Sequence, residues 1–153
     1  VGCLAMRNAT VAGAVGGCQA EVGVASAMAA SAAVELMQGT ARQCLDAAST
    51  VLMNMLGLVC DPVGGLVECP CQMRNASGVA NALTAAEIVL SGVRQLIPFD
   101  EMLDAMYTAG KRLPAEYRET ALGGSYFYGM FPLSVSRKYF AACRPVISPN
   151  DRS

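Results

Sequence analysis

The sequence predicts a mainly α-helical domain, and three observations predict it. Runs of Ala, Val, Met and Leu are separated by glycine or proline at helix-length intervals, and no stretch alternates apolar and polar residues long enough to make a strand. Hydrophobic residues make up 54% of the 153 and charged residues 15%, which is the composition of a packed globular chain. That length holds one modest core rather than two.

The elements follow in order. Residues 19–38 are dominated by small apolar side chains and stop at Gly39, so this helix suits close packing against others. Thr40 is placed to cap a second helix that runs to Leu56 and is broken by Gly57. A third helix is expected over 75–95, opening with Asn-Ala-Ser. The linker after it ends at Pro98, and Phe99-Asp100-Glu101 then starts a fourth with its acids at the positive end of the dipole. That helix reaches Arg112 before Pro114. Composition changes after Gly124: residues 125–153 carry one acid, four bases and six of the nine aromatics. The chain is therefore divided into 1–124 and a tail, 125–153.

The totals also exclude function classes. A net charge of −1 gives no basis for nucleic-acid binding. The 13-residue charge-free run 22–34 is too short and too rich in Ala, Ser and Gly to span a membrane. Seven cysteines, an odd number in a chain with no signal-peptide pattern, argue against a disulfide framework and for a reducing cytoplasm.

Three of those cysteines stand in turns of small residues: Gly16-Gly17-Cys18, Val59-Cys60-Asp61-Pro62 and Cys69-Pro70-Cys71. In a chain with no histidine, thiolates on glycine-rich and proline-rich turns are suited to an iron–sulfur cluster, and exactly three ligands would leave one iron open. Gly13, Gly16 and Gly17 would let backbone approach a bulky group, and Cys18 would open a helix whose amides favour a thiolate. The Asp61–Gly65 turn would keep amides free for sulfur. The opposing reading is that buried cysteines are packing. That reading suits Cys3, Cys44 and Cys143, and spacing alone leaves Cys18, Cys60 and Cys71 between the two.

Longer motifs carry a resemblance. The segments Gly16-Gly17-Cys18-Gln19-Ala20-Glu21-Val22-Gly23, Leu56 through Glu68 and Pro70-Cys71-Gln72-Met73-Arg74-Asn75-Ala76 resemble the catalytic (α) part of the iron–sulfur-dependent L-serine dehydratases. Asn8-Ala9-Thr10 with Gly13-Ala14, and Tyr117-Arg118-Glu119-Thr120 with Gly123-Gly124, extend the likeness over residues 1 to 124. The resemblance implies a [4Fe–4S] cluster held by Cys18, Cys60 and Cys71, with Cys69 replacing a usually apolar residue. It also implies a lyase that eliminates water from L-serine to give pyruvate and ammonia, with the open iron acting as Lewis acid. Further implied are a longer catalytic part with a glycine-containing segment upstream, and a β subunit or β domain as partner.

Candidate bases are Glu21, Asp61 and Glu119, with Glu68 beside them; Asp61 has the alternative duty of shaping the turn. Arg74 and Asn75, three and four residues past Cys71, are candidates to hold a substrate carboxylate, Asn75 being equally suited to cap the helix that follows. Arg118-Glu119 has the alternative of a local ion pair. A different class of function is a non-catalytic cluster-binding helical module, which would take up the cluster and form no pyruvate.

Overall fold

A computed structural model describes residues 1–66 and 68–127. The described chain is helical throughout: α1 (Gly2–Asn8), α2 (Gly13–Gly16), a π-helical turn (Gln19–Gly23) running directly into α3 (Val24–Leu36), α4 (Ala41–Asn54), α5 (Cys71–Leu90) and α6 (Phe99–Arg112). Short 3₁₀ turns at Val63–Gly65, Ala115–Tyr117 and Gly124–Phe127 complete it. Extended pairing is limited, among the described residues, to one parallel bridge between Cys60 and Arg118. The composition break after Gly124 falls at the start of the last turn, and Cys143 with the rest of the tail lies outside the described residues.

Helix α3 is the centre, packed on α4 and α5, while α6 lies across α4, α2 and the π turn. Its buried face is Val24, Ser26, Ala27, Ala30 and Val34, and the faces it meets are equally small, with Ala47 and Ala48 on α4 and Ala82, Ala85 and Ala86 on α5. Small side chains let the axes approach closely. At Gly78 of α5 there is no space for a Cβ against Ser26 Oγ, which is itself bonded to the Val22 carbonyl at 2.7 Å. At Gly110 of α6 a Cβ would stand 2.7 Å from Gly16 Cα. The larger buried side chains, Leu52, Met102, Leu103 and Met106, come from α4 and α6 and belong to the same core.

Thr40 caps α4 as its sequence predicts. It accepts the Gln43 amide at 3.3 Å while Gln43 Oε1 accepts the Thr40 amide at 2.9 Å, a reciprocal capping box. Helix α6 has its expected limits, with Asp100 and Glu101 in the first turn and Lys111 and Arg112 in the last. Two expectations are corrected. Helix α5 begins at Cys71, four residues before the expected start, and ends at Leu90 rather than 95, so Asn75 is an exposed residue of its second turn and caps nothing. Cys3 is exposed on α1 rather than packed inside, whereas Cys44 does pack against the core.

One buried polar side chain joins these helices to the layer above them. Gln19 Nε2 donates to the carbonyls of Gly16 (2.8 Å) and Met106 (3.1 Å), and its Oε1 accepts the Gly57 amide at 2.8 Å. The side chain is 1% exposed and links α2, α6 and the loop leading to Cys60.

Candidate active site

The three turns predicted to carry thiols come together over the ends of α2 and α5. Cys18 follows Gly17, whose φ of +77° and whose fit against the Leu58 carbonyl (2.8 Å from an added Cβ) admit glycine alone without strain. Cys18 opens the helical run as expected, and the wider π turn that follows carries Glu21. Cys60 lies on an extended strip paired with 117–119: its amide donates to the Tyr117 carbonyl (2.9 Å), and its carbonyl accepts the Glu119 amide (3.1 Å). Cys71 is the first residue of α5, at the amide end of a 20-residue helix.

Cys18 and Cys60 are 0% and 2% exposed and form a small cluster with Val22, against which Met55 and Leu58 pack; Cys71 is half-buried. The thiols interact. Burial, then Cys18, then Glu119 and Cys71, push Cys60 up to about 12. Burial, followed by Cys18 and Glu21, raises Cys71, with Arg74 pulling the other way.

Two carboxylates stand at the open side. A Cβ at Gly13 would lie 2.9 Å from Glu21 Oε2, 3.5 Å from Cys60 Sγ and 3.7 Å from Glu119 Oε2, so Gly13 is small because three functional groups meet it. Both acids are exposed. Glu119 holds φ +65°, an unusual conformation for a residue with a side chain, fixed by the bridge to Cys60.

Asp61 behaves differently from those two. It is 4% exposed and faces away from solvent: Oδ2 accepts the Ser125 amide at 2.8 Å, and Oδ1 meets Arg74 Nη1 at 2.7 Å. Burial opposes its ionisation, yet the Ser125 hydrogen bonds and Arg74 outweigh burial and hold the carboxyl below its usual range. A carboxylate so occupied orients the turn and makes a poor base.

Arg74 is also turned inward. The same Nη1 donates to the Val59 carbonyl (2.9 Å) and to Cys18 Sγ (3.6 Å). Asn75 points elsewhere into solvent, and Glu68 is an exposed residue of the turn before α5. The 61–65 turn is tight, but its amides are not all free for sulfur: Val63 donates to the Cys69 carbonyl and Gly65 to that of Pro62. No Arg118–Glu119 ion pair forms among the described residues, where Arg118 Nε is buried without a partner. Sequence reading missed Ser125 and Gln19 as parts of this architecture; both are polar residues whose partners are backbone or side-chain groups distant in the chain.

The donor set can be tested against an iron–sulfur cluster. Among the described residues no three His, Cys, Asp or Glu side chains surround a point as ligands of a single ion do. Cys18 nevertheless stands within hydrogen-bond reach of both Cys60 and Cys71, so the three thiols face one another. The pocket also offers an all-sulfur donor set, in which the protons of Cys60 and Cys71 are held on by burial and by neighbouring groups, a balance that a cationic metal centre reverses. Gly13 leaves bare backbone beside the Cys60 sulfur, where a bulky group needs room. These residues fit a cluster.

The sequence model of the family described as "Serine dehydratase alpha chain" matches residues 1–125. The chain belongs to that family. It is 54% identical over 123 residues to the probable L-serine dehydratase alpha chain of Bacillus subtilis, covering 80% of this chain and 41% of that one. It is 55% identical over 124 residues to the L-serine dehydratase alpha chain of Peptoniphilus asaccharolyticus, covering 81% of this chain and 42% of that one. The L-serine dehydratase of Helicobacter pylori is 44% identical over 125 residues, of which the match spans 28%. The chain thus spans about two fifths of the length of the first two relatives. No helix among the described residues is long and apolar enough to cross a membrane.

Proposed function

We propose that this chain supplies the cluster-binding portion of an iron–sulfur L-serine dehydratase, a lyase that removes water from L-serine and releases pyruvate and ammonia. The observation that carries the reading is the convergence of Cys18, Cys60 and Cys71 beside two carboxylates at Gly13, in a member of this family. Cys18, Cys60 and Cys71 would hold a [4Fe–4S] cluster, which when bound supplies an open iron as Lewis acid for departure of the serine hydroxyl.

The rest of the chemistry falls to side chains. Elimination needs a group that takes the α-proton, and Glu21 and Glu119 are the carboxylates at the open side of the thiols. Glu119 is the stronger candidate, because its backbone is tied to Cys60 and its carboxylate lies on the same side of Gly13 as the Cys60 sulfur. Asp61 holds the Cys60 turn in place and moves no proton. Burial of Cys18 and Cys60 excludes water from the inner side of the pocket. The remaining part of the catalytic chain and a β subunit or β domain complete the enzyme, which works in the reducing cytoplasm.

The test is anaerobic pyruvate formation from L-serine by the reconstituted chain together with the remaining segments of a family member. Glu119→Gln should lower kcat by about 100-fold or more with little change in KM. Persistent pyruvate formation by Cys60→Ser would sink the reading. Full cluster loading with no pyruvate under any combination would favour the non-catalytic cluster-binding module instead.

A further inference from the structure

Nη1 of Arg74, itself on the Cys71 helix, reaches both of the other cysteine-bearing segments. It leaves α5 three residues after Cys71, donates to Cys18 Sγ at 3.6 Å and to the Val59 carbonyl at 2.9 Å, and meets Asp61 at 2.7 Å. Val59 and Asp61 flank Cys60 on both sides. Asp61 is in turn fixed by the Ser125 amide at 2.8 Å, so the strut is anchored at its far end. The Arg74 side chain is 20% exposed and Asp61 5%, which shields the pair from solvent screening.

We propose that Arg74 is a positioning residue of the cluster site: it clamps the Cys18, Cys60 and Cys71 segments together and tunes the bound group through its hydrogen bond to the Cys18 sulfur. This assigns Arg74 a duty other than gripping a substrate carboxylate, because the nitrogen nearest the thiols is already committed. It rests on the reading of the three cysteines as cluster ligands. A donor and a positive charge beside a ligand sulfur stabilise the more negative, reduced cluster and raise its potential. A lysine keeps the charge but carries it on a flexible stem without the rigid, planar guanidinium.

Two readouts on the 153-residue chain test this, both checked for native helicity by circular dichroism. The first is the reduction potential and EPR signature of the anaerobically reconstituted cluster in Arg74→Gln and Arg74→Lys. The expected result is a negative shift in both, larger for Arg74→Gln, with an altered EPR line shape. The second uses the chain before iron is added: mild oxidation by diamide, then mass-spectrometric yield of the Cys18–Cys60 disulfide. That yield should fall several-fold in Arg74→Gln and recover in part in Arg74→Lys. A variant with the unaltered potential and an unaltered yield overturns the proposal. If Arg74→Gln takes up no iron, the disulfide yield decides alone, a several-fold fall supporting the clamp and an unchanged yield refuting it. If the unaltered chain takes up no iron, the cluster reading fails, and the same yield still decides whether Arg74 holds the segments together.

Discussion

The helical core and the cysteine layer are held by different forces, and the contrast explains how one small chain presents a reactive site. In the core, α3 meets α4 and α5 through alanines and glycines, and geometry is set by volume: Gly78 against Ser26, Gly110 against Gly16. In the cysteine layer only Cys18, Val22 and Cys60 are fully buried apolar groups, and geometry is set by polar ties. Gln19, Asp61, Arg74 and the Cys60–Arg118 bridge fix three loops that packing alone would leave loose. Close packing tolerates no added volume, while a hydrogen-bonded layer tolerates volume and fails when a partner is lost.

That difference can be broken from either side. The largest effect is expected for Gly110→Ala, where the new Cβ meets backbone two residues before Cys18. Overpacking should cost about 3 kcal/mol of stability and reduce iron uptake with it, as read by urea unfolding and iron assay. Gln19→Leu keeps the volume and removes three hydrogen bonds at once, stranding the Gly57 amide. A loss of about 2 kcal/mol is expected, with hydrogen exchange accelerated at Gly57 and around Cys60 more than in α4.

Thr40→Ala removes the capping box of α4 far from the thiols. It should cost about 1 kcal/mol and leave iron stoichiometry unchanged, which separates core stability from site assembly. The smallest effect is a pH slope. Asp61 is held below its usual 3.8, so its contribution to stability is present above that value and is lost as pH falls through the lowered one. The melting temperature of Asp61→Asn, compared with the unaltered chain from pH 6 down to 3, should show a gap that narrows toward the acid end. A gap that is constant with pH would mean that Asp61 is not held by its partners through charge.

Much of this was legible in the sequence, for identifiable reasons. Thr40 with Gln43, and Phe99-Asp100-Glu101 before a run ending in Lys111-Arg112, are local signals whose partners lie within one turn, so the start of α4 and both limits of α6 could be read directly, while α4 ends at Asn54, two residues before the expected Leu56. The start of α5 was misplaced because Cys-Pro-Cys reads as a turn, although proline is well suited to stand immediately before a helix. The cysteine turns were visible through their glycines and through long family motifs. What could not be read was direction: Arg74 points to Cys18 and Asp61, and Glu119 points to Gly13, through contacts spanning 13 to 106 residues of chain. Side-chain orientation of that kind is decided by tertiary packing. Asp61 illustrates the consequence, since its place beside Cys60 suggests a base and its two bonds make it a brace.

The central claim is that Cys18, Cys60 and Cys71 together hold one cluster, and it is tested most directly by iron and acid-labile sulfide content after anaerobic reconstitution. The chain and its Cys44→Ser and Cys69→Ser variants should each carry about four irons and four sulfides. Cys18→Ser, Cys60→Ser and Cys71→Ser should each lose most of both. Equal iron in all six proteins, or none in the unaltered chain, would contradict the account.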